Sequence, residues 1–203
     1  MGLFEETTTE DAHAQFETNF FGALNVTGAA LPHMRMARSG RIFNVSSLGG
    51  LLGAELGSLY CASKFALEGF SECLAKEVAP FGIFVTIVEP GPFRTDLLTP
   101  ESIRSSEHHI RDYDSRRSPL IASFRERNAQ QPGDPAKLAR ALVQLSEEIH
   151  PPLRFLAGTT AVNAAKEKLE GMRAEMEAWR QLSVGTDGDY DSSNVAGLLD
   201  RLK

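Results

Sequence analysis

One stretch of the chain is apolar without interruption, and it limits the folds that the chain can adopt. Residues 83–88, Ile-Phe-Val-Thr-Ile-Val, are followed directly by Glu89-Pro90-Gly91. A continuous apolar run of this length, without alternation, is typical of a parallel strand that is covered on both faces. The sequence therefore predicts a parallel α/β sheet of the doubly wound type, in which ligands bind beyond the carboxyl ends of the strands.

Two further strands are predicted, at about 40–46 and 153–157, because short β-prone runs there end at Ser46-Ser47 and at Gly158. A sheet of three strands has an unpaired edge. Such an edge leaves three outcomes open: the chain oligomerises, it aggregates, or a complementing piece covers the edge.

Helices are predicted by apolar residues at helical spacing and by N-capping residues. The first covers about 9–38, after three threonines that supply an N-cap, and Pro32 is expected to kink or restart it. The second covers about 58–79. Two more begin after Asp134, which precedes a proline at the first helical position, and after Gly158.

The most informative side chains are Tyr60 and Lys64, which lie four residues apart in helix 58–79 and project from one face. A nearby ammonium group favours the phenolate and lowers the tyrosine pKa from its usual value of about 10. The phenol then exchanges a proton with a substrate hydroxyl or carbonyl. Ser47, at the end of strand 40–46, is placed to hydrogen-bond the same oxygen. A tyrosine and a lysine at this spacing usually belong to an ordinary helix face. The prediction of a catalytic site therefore depends on their combination with Ser47 and Asn19.

This combination resembles the short-chain dehydrogenase/reductase family. Asn-Val-Ser-Ser at 44–47, Tyr-Cys-Ala-Ser-Lys at 60–64 and Pro-Gly-Pro-Phe-Arg-Thr-Asp at 90–96 occur in the order and at the spacing of that family. The resemblance covers about residues 3–182. The loop after Pro90 and the stretch 151–156 are similar to the branch of the 17β-hydroxysteroid and retinol dehydrogenases.

The resemblance implies an NAD(P)-dependent oxidoreductase of Rossmann-type fold that moves hydride between nicotinamide and a secondary alcohol or ketone. Tyr60 would be the acid/base, Lys64 would lower its pKa and hold the ribose, and Ser47 would orient the substrate oxygen. The implied contacts with the cofactor, NADP or NAD, are made by Tyr60, Lys64, Pro90, Gly91 and Thr95.

Asn19 lies inside the apolar stretch of the first helix, although asparagine is a poor helix former. A core amide bonded to a neighbouring carbonyl is one explanation. The resemblance implies another, in which the asparagine deforms the helix and holds a water that links Lys64 to solvent. Given the other motifs, the second explanation is the one expected here.

The departure from the family pattern is as informative as the match. Family members begin with a strand and a Thr-Gly-x-x-x-Gly-x-Gly turn, in which backbone approaches the cofactor pyrophosphate at a helix N-terminus. Neither this turn nor the residue that selects NAD or NADP occurs in the 203 residues. We therefore expect a sheet truncated to its C-terminal half, with the nicotinamide half of the site and weak cofactor binding.

Three functions stay open at this point. The first is the oxidoreductase. The second is a non-catalytic, truncated family member that acts as an interaction or regulatory partner or is inactive, and the missing turn supports it. The third and weakest is hydrolase chemistry at Ser47, which lacks a Gly-x-Ser-x-Gly elbow and an obvious histidine base.

Charge and composition exclude several classes of partner. The net charge of −6 argues against nucleic acid, and no apolar run is long enough to span a bilayer. The N-terminus lacks the layout of a signal peptide, so a cytoplasmic location is expected. His108 and His109 are adjacent without a third ligand nearby, which predicts solvated loop residues and no metal site. The expected partners are a small alcohol or carbonyl substrate and a second copy of the chain, through helices 9–38 and 58–79.

The sequence predicts one partial Rossmann-fold domain over 1–182 and a flexible tail over 183–203. Residues 96–133 are polar and irregular in pattern, and they resemble the variable substrate-binding lobe of the family. Within this lobe, Arg116 and Arg117 are interpreted as surface charge. A basic lid over an anionic cofactor is the alternative.

Overall fold

The computed structural model describes residues 1–99, 102–103, 105–106 and 108–188. The chain divides into two compact units, Met1–Lys166 and Glu167–Lys203. The first unit contains the sheet and most of the helices. Of the second unit, the structure describes the continuation of a long helix to Val184 and the four residues after it.

The sheet has three parallel strands in the order β1–β2–β3, as the sequence predicts. These strands are β1 (Gly40–Val45), β2 (Ile83–Pro90) and β3 (Arg154–Ala157). The middle strand pairs with β1 from Gly40 opposite Ile83 onward, and with β3 from Ile87 opposite Arg154 onward. Burial of β2 is nearly complete, which is the reason for its continuous apolar sequence.

Helices flank the strands. The helix predicted at about 9–38 is divided in two in the structure, a further helix occurs before Asp134, and the other bounds are close to the sequence prediction. The helices are α1 (Thr9–Phe16), α2 (Gly22–Ala37), α3 (Ser58–Val78), α4 (Asp114–Glu126), α5 (Pro135–Glu147) and α6 (Thr159–Val184). Thr8 caps α1 in a capping box with Asp11. The Asp134 carboxylate caps α5, with Pro135 at its first position, as expected. The restart expected at Pro32 does not occur, because α2 continues through this residue without interruption.

The main apolar core joins α3 to the sheet. Its buried members are Leu74 and Val78 of α3 and Ile83 and Val85 of β2. Each such side chain contributes about 1.5–3 kcal/mol when it is removed from water. This core fixes α3 against β1 and β2, so the first turns of the helix lie close to the carboxyl ends of these strands.

Two predictions about the later part of the chain are corrected. Residues 96–133 are not irregular throughout, because 114–126 form the helix α4. Its sequence is polar and contains Pro119, which hides the helical pattern. The predicted tail begins two residues too early, since α6 extends to Val184, and the rest of that prediction, 189–203, lies outside the described residues.

The interpretation of Arg117 as surface charge is wrong. Arg117 is 7% exposed and forms ion pairs with Glu6, which is 1% exposed, and with Asp114. The Glu6 carboxylate also accepts a hydrogen bond from the Ile110 backbone N–H at 2.9 Å. Arg116, in contrast, is exposed and pairs with Glu55. The neighbouring arginines therefore differ in environment because the partner of Arg117 comes from the distant N-terminal segment.

Candidate active site

Ser47 lies just beyond the carboxyl end of β1, where the chain turns away from the sheet. Its hydroxyl accepts a hydrogen bond from the Gly49 backbone N–H at 3.0 Å and caps a short 3-10 turn over Leu48–Gly50. The Ser47 side chain also lies close enough to the Tyr60 hydroxyl to influence its pKa. A Cβ atom on Gly49 would lie 2.9 Å from the Tyr60 ring. Glycine at this position therefore allows the ring to lie against the turn.

Lys64 completes the group. Its ammonium Nζ donates a hydrogen bond to the Val45 carbonyl at 2.9 Å and lies 5.9 Å from the centroid of the Tyr60 ring. The first two turns of α3 and the end of β1 thus bring Ser47, Tyr60 and Lys64 together, as the sequence predicts. Of the three donors on the ammonium group, the described residues occupy one, so the other two can meet ligand hydroxyl groups.

The pKa directions at the site differ from the expectation. Burial raises the pKa of Tyr60, and the nearby Ser47 side chain opposes this shift. Burial lowers the pKa of Lys64, against the influence of Glu68. The predicted lowering of the Tyr60 pKa by Lys64 is wrong for this geometry, because burial dominates and the ammonium lies over the ring. Tyr60 therefore keeps its proton near neutrality, the state in which a phenol is able to donate a proton to a carbonyl.

The helix deformation expected at Asn19 is present. Between α1 and α2 the chain forms a π-helical segment, Glu17–Phe21, with Asn19 at its centre. Segments of this kind are short and frequent at functional sites. The Asn19 side-chain amide donates to the Ser63 hydroxyl at 3.1 Å, and that hydroxyl donates to the Tyr60 carbonyl at 2.7 Å. Asn19 thus braces the turn of α3 that carries Tyr60, whereas its role toward water and Lys64 stays a prediction.

The residues expected at the nicotinamide end follow β2. Pro90 ends the strand, and the Gly91 backbone N–H donates to the Ala157 carbonyl at 3.0 Å. Because β1 and β2 are parallel neighbours, Pro90 and Gly91 lie at the same edge of the sheet as Ser47. Thr95 is exposed on the following loop, where its hydroxyl accepts from the Leu97 backbone N–H.

Sequence reasoning missed a charged group beside this site, formed by Glu68, Glu89 and Arg154, which we term the Glu–Arg cluster. Arg154 forms ion pairs with both glutamates. Glu68 also accepts a hydrogen bond from the Ser46 hydroxyl at 2.6 Å. A charged residue at the end of the continuously apolar β2 was the available signal, because such residues are rarely buried without a partner.

A glycine of the turn packs directly on this cluster and gives a test of the arrangement. A Cβ atom on Gly50 would overlap the carboxylate of Glu68 and the hydroxyl of Ser46, whereas a Cβ atom on Gly53 would meet nothing within 4 Å. We expect Gly50→Ala to lower the free energy of unfolding by about 1–3 kcal/mol, as overpacking does. Urea denaturation measures the change in the free energy of unfolding, and Gly53→Ala is the matched control. Equal stability of the two variants would contradict the described packing.

Other kinds of site receive no support from the part of the chain that the structure describes. There, no group of three or more His, Cys, Asp or Glu side chains is placed to hold a metal ion. His108 and His109 are both exposed, as predicted. Within the same described ranges, none of the helices combines the length and the apolar character needed to cross a bilayer.

Comparison with known proteins identifies the same family as the sequence motifs. The family model described as "short chain dehydrogenase" matches residues 1–105. Oxidoreductase BOA17 of Botryotinia fuckeliana is 38% identical over 182 residues, which are 90% of this chain and 66% of that protein. The 3-ketodihydrosphingosine reductase of Bacteroides thetaiotaomicron is 42% identical over 77% of this chain and 58% of its own length. Retinol dehydrogenase 8 of Bos taurus is 38% identical over 71% of this chain and 48% of its length. The chain thus spans about half to two thirds of these relatives.

Solved structures agree with the sequence comparison. The crystal structure of a short-chain dehydrogenase from Streptomyces avermitilis superposes with a TM-score of 0.81 and is 42% identical. That match covers 92% of this chain and 67% of the other. The structure of ElxO with NADP bound gives a TM-score of 0.56 at 30% identity, over 74% of this chain and 56% of the other.

Proposed function

We propose that this chain, which belongs to the short-chain dehydrogenase family, carries the proton-transferring and nicotinamide-binding groups of an NAD(P)-dependent oxidoreductase. The observation that carries the proposal is the grouping of Ser47, Tyr60 and Lys64 at the carboxyl end of β1. Ligands of open α/β sheets bind at this edge. The names of the relatives, which include a reductase and a retinol dehydrogenase, support the same reaction class.

The residues present fit the ribose and nicotinamide end of the cofactor. Lys64 has free donors for the ribose hydroxyl groups, and Pro90 and Gly91 lie at the same sheet edge. Thr95, on the loop beyond them, is proposed as a further contact. When bound, the reduced nicotinamide supplies the hydride, and NADP is supported by the cofactor in the ElxO structure.

The mechanism follows from the hydrogen bonds of the site. The hydroxyl groups of Ser47 and Tyr60 bind the carbonyl oxygen of a small ketone, and Tyr60 donates its proton to that oxygen as hydride reaches the carbonyl carbon. The product is a secondary alcohol. The ammonium group of Lys64 lies over the same ring, so a positive charge is near the phenolate that is left. Tyr60 then regains a proton from solvent, with Asn19 proposed to support this relay.

The alternatives are weaker. A non-catalytic family member remains a second hypothesis, because the glycine turn for the pyrophosphate does not occur in the 203 residues.

Exposed apolar residues on the two helices proposed for oligomer contacts support a partner surface for either hypothesis. They are Phe21, Val26, Met36 and Phe65. A hydrolase using Ser47 has less support, since its hydroxyl bonds the Gly49 backbone N–H and lies near Tyr60, and neither residue is a histidine. The two free cysteines, Cys61 and Cys73, fit a reducing cytoplasm.

Binding of half a cofactor tests the proposal. Reduced nicotinamide mononucleotide contains the nicotinamide and its ribose but lacks the adenosine half. We expect it to bind the 203-residue chain within about tenfold of NADPH and NADH, a difference below ~1.4 kcal/mol, because the proposed contacts lie at the nicotinamide end. Lys64→Met should weaken all three. Nicotinamide fluorescence titration gives the dissociation constants.

The control is Lys137→Met on α5, which removes a lysine that is not assigned to the site. Binding of NADPH more than about a hundredfold tighter than that of the mononucleotide would show an adenosine site in this chain and contradict the half-site proposal. A folded chain that binds none of the three nucleotides would favour the non-catalytic hypothesis.

A further inference from the structure

The Glu–Arg cluster lies where the carboxyl end of β2, the start of β3 and the second half of α3 meet. Glu89 is 1% exposed and Glu68 is 4% exposed. One guanidinium nitrogen of Arg154 donates to both carboxylates, reaching Glu89 at 2.8 Å, and the other donates to Glu72. Two buried carboxylates thus share one cation, while Glu72 lies on the exposed side of the same arginine.

The cluster has an excess of negative charge in a buried place. One carboxylate oxygen of Glu89 is fully buried without a hydrogen-bond partner among the described residues. Burial and the neighbouring Glu68 raise the pKa of Glu89 to about 7, and Arg154 only partly offsets this. The charged groups that act on Glu89 are Glu68 from α3 and Arg154 from β3, and Glu72 pairs with the same arginine. The cluster therefore gains or loses one proton near neutrality.

Glu68 connects this cluster to the proposed active site in two ways. It lies one helical turn after Lys64, and its charge raises the pKa of Lys64 against the effect of burial. It also accepts the hydrogen bond from Ser46, the residue immediately before Ser47. Gly50, at the end of the same turn, packs against both groups. Glu68 thus contacts the strand end on one side and influences the lysine on the other.

We propose that Glu68 is a positioning residue that holds the Ser46–Ser47 turn and places its negative charge near Lys64, and that Glu89 and Arg154 set the charge around it. This proposal rests on the proposed function in assigning a catalytic role to Lys64 and Ser47. Glu68, Glu89 and Arg154 act only through neighbouring residues, since their carboxylate and guanidinium groups contact one another. Protonation of Glu89 removes one negative charge from the cluster that contains Glu68.

Carbon-13 NMR titration of the 203-residue chain tests the proposal without cofactor or substrate. Labels on the glutamate carboxyl carbon and the lysine Cε atom report Glu89 and Lys64, which Glu89→Gln and Lys64→Met assign by loss of a signal. We expect one carboxyl group to titrate at about pH 7. Glu68→Gln should shift both midpoints, Glu89 and Lys64, to lower pH, because the nearby negative charge is lost.

Glu72→Gln is the matched control, since it removes a glutamate one turn further along α3 that pairs with the same arginine. It should leave the Lys64 midpoint in place. The proposal is overturned if no carboxyl group titrates above pH 6, or if Lys64 titrates alike in the unmodified chain and in Glu68→Gln. Circular dichroism confirms that each variant is folded. A chain that shows these titrations but binds no nicotinamide nucleotide would refute the proposed function and leave the link between Glu68 and Lys64 intact.

Discussion

Replacing Tyr60 with phenylalanine is expected to slow hydride transfer by about a thousandfold, within the ~10²–10⁴-fold that a positioned proton donor contributes. The substitution removes only the hydroxyl, which lies near the Ser47 side chain and is the proposed donor to the substrate oxygen. The ring, which lies beneath the Lys64 ammonium, is kept. Binding of reduced nicotinamide mononucleotide should therefore change by less than about threefold, a difference below ~1 kcal/mol.

The measurement is NADPH-dependent reduction by the 203-residue chain of whichever ketone from a small-molecule panel it reduces fastest. Tyr190→Phe is the matched control, because this tyrosine lies outside the described residues and has no role in the proposal. A Tyr60→Phe variant that reduces the ketone at the original rate would refute the role of Tyr60. Since burial raises the pKa of Tyr60, the reduction rate should also show no loss of this proton donor between pH 6 and 8.

The parts of the structure that the sequence predicts are those encoded within a few neighbouring residues. The apolar run of β2 gives a buried parallel strand, Asp134 and Pro135 give the start of α5, and the spacing of Tyr60 and Lys64 gives one face of α3. Each of these depends on local periodicity or capping, so sequence alone is sufficient. Predicting that Ser47 lies near Tyr60 and Lys64 also required the parallel sheet, which the strand pattern predicts.

The parts that the sequence does not predict are ion pairs between distant segments. Glu68 and Arg154 are 86 positions apart, and Glu6 and Arg117 are 111 positions apart. No periodic sequence pattern indicates an ion pair between distant residues. A charged residue without a partner nearby in the sequence is therefore interpreted as exposed. The same limit explains why α4 was missed, because its buried residue is Arg117, whose partner Glu6 lies in the distant N-terminal segment. Long-range charge pairing thus defines both the Glu–Arg cluster and the attachment of α4.

The largest effect on stability is expected from Arg117→Met. Removing one partner of a buried ion pair leaves an uncompensated charge and costs about 3–5 kcal/mol. Here the group left behind is Glu6, which is nearly inaccessible to solvent and has one carboxylate oxygen without a hydrogen-bond partner in the described part of the chain. Urea denaturation followed by circular dichroism gives the change in the free energy of unfolding.

The adjacent arginine supplies the control. Arg116→Met removes a pair with Glu55 in which both side chains are about half exposed or more, and such pairs contribute about 0–1 kcal/mol. Adding Glu6→Gln to Arg117→Met should restore part of the lost stability, because a neutral amide is easier to bury than an unpaired carboxylate. If the two single arginine variants are equally stable, the buried pair does not hold α4 to the N-terminal segment. A large loss that Glu6→Gln leaves unchanged would assign the effect to packing of the arginine stem, and would refute the charge argument.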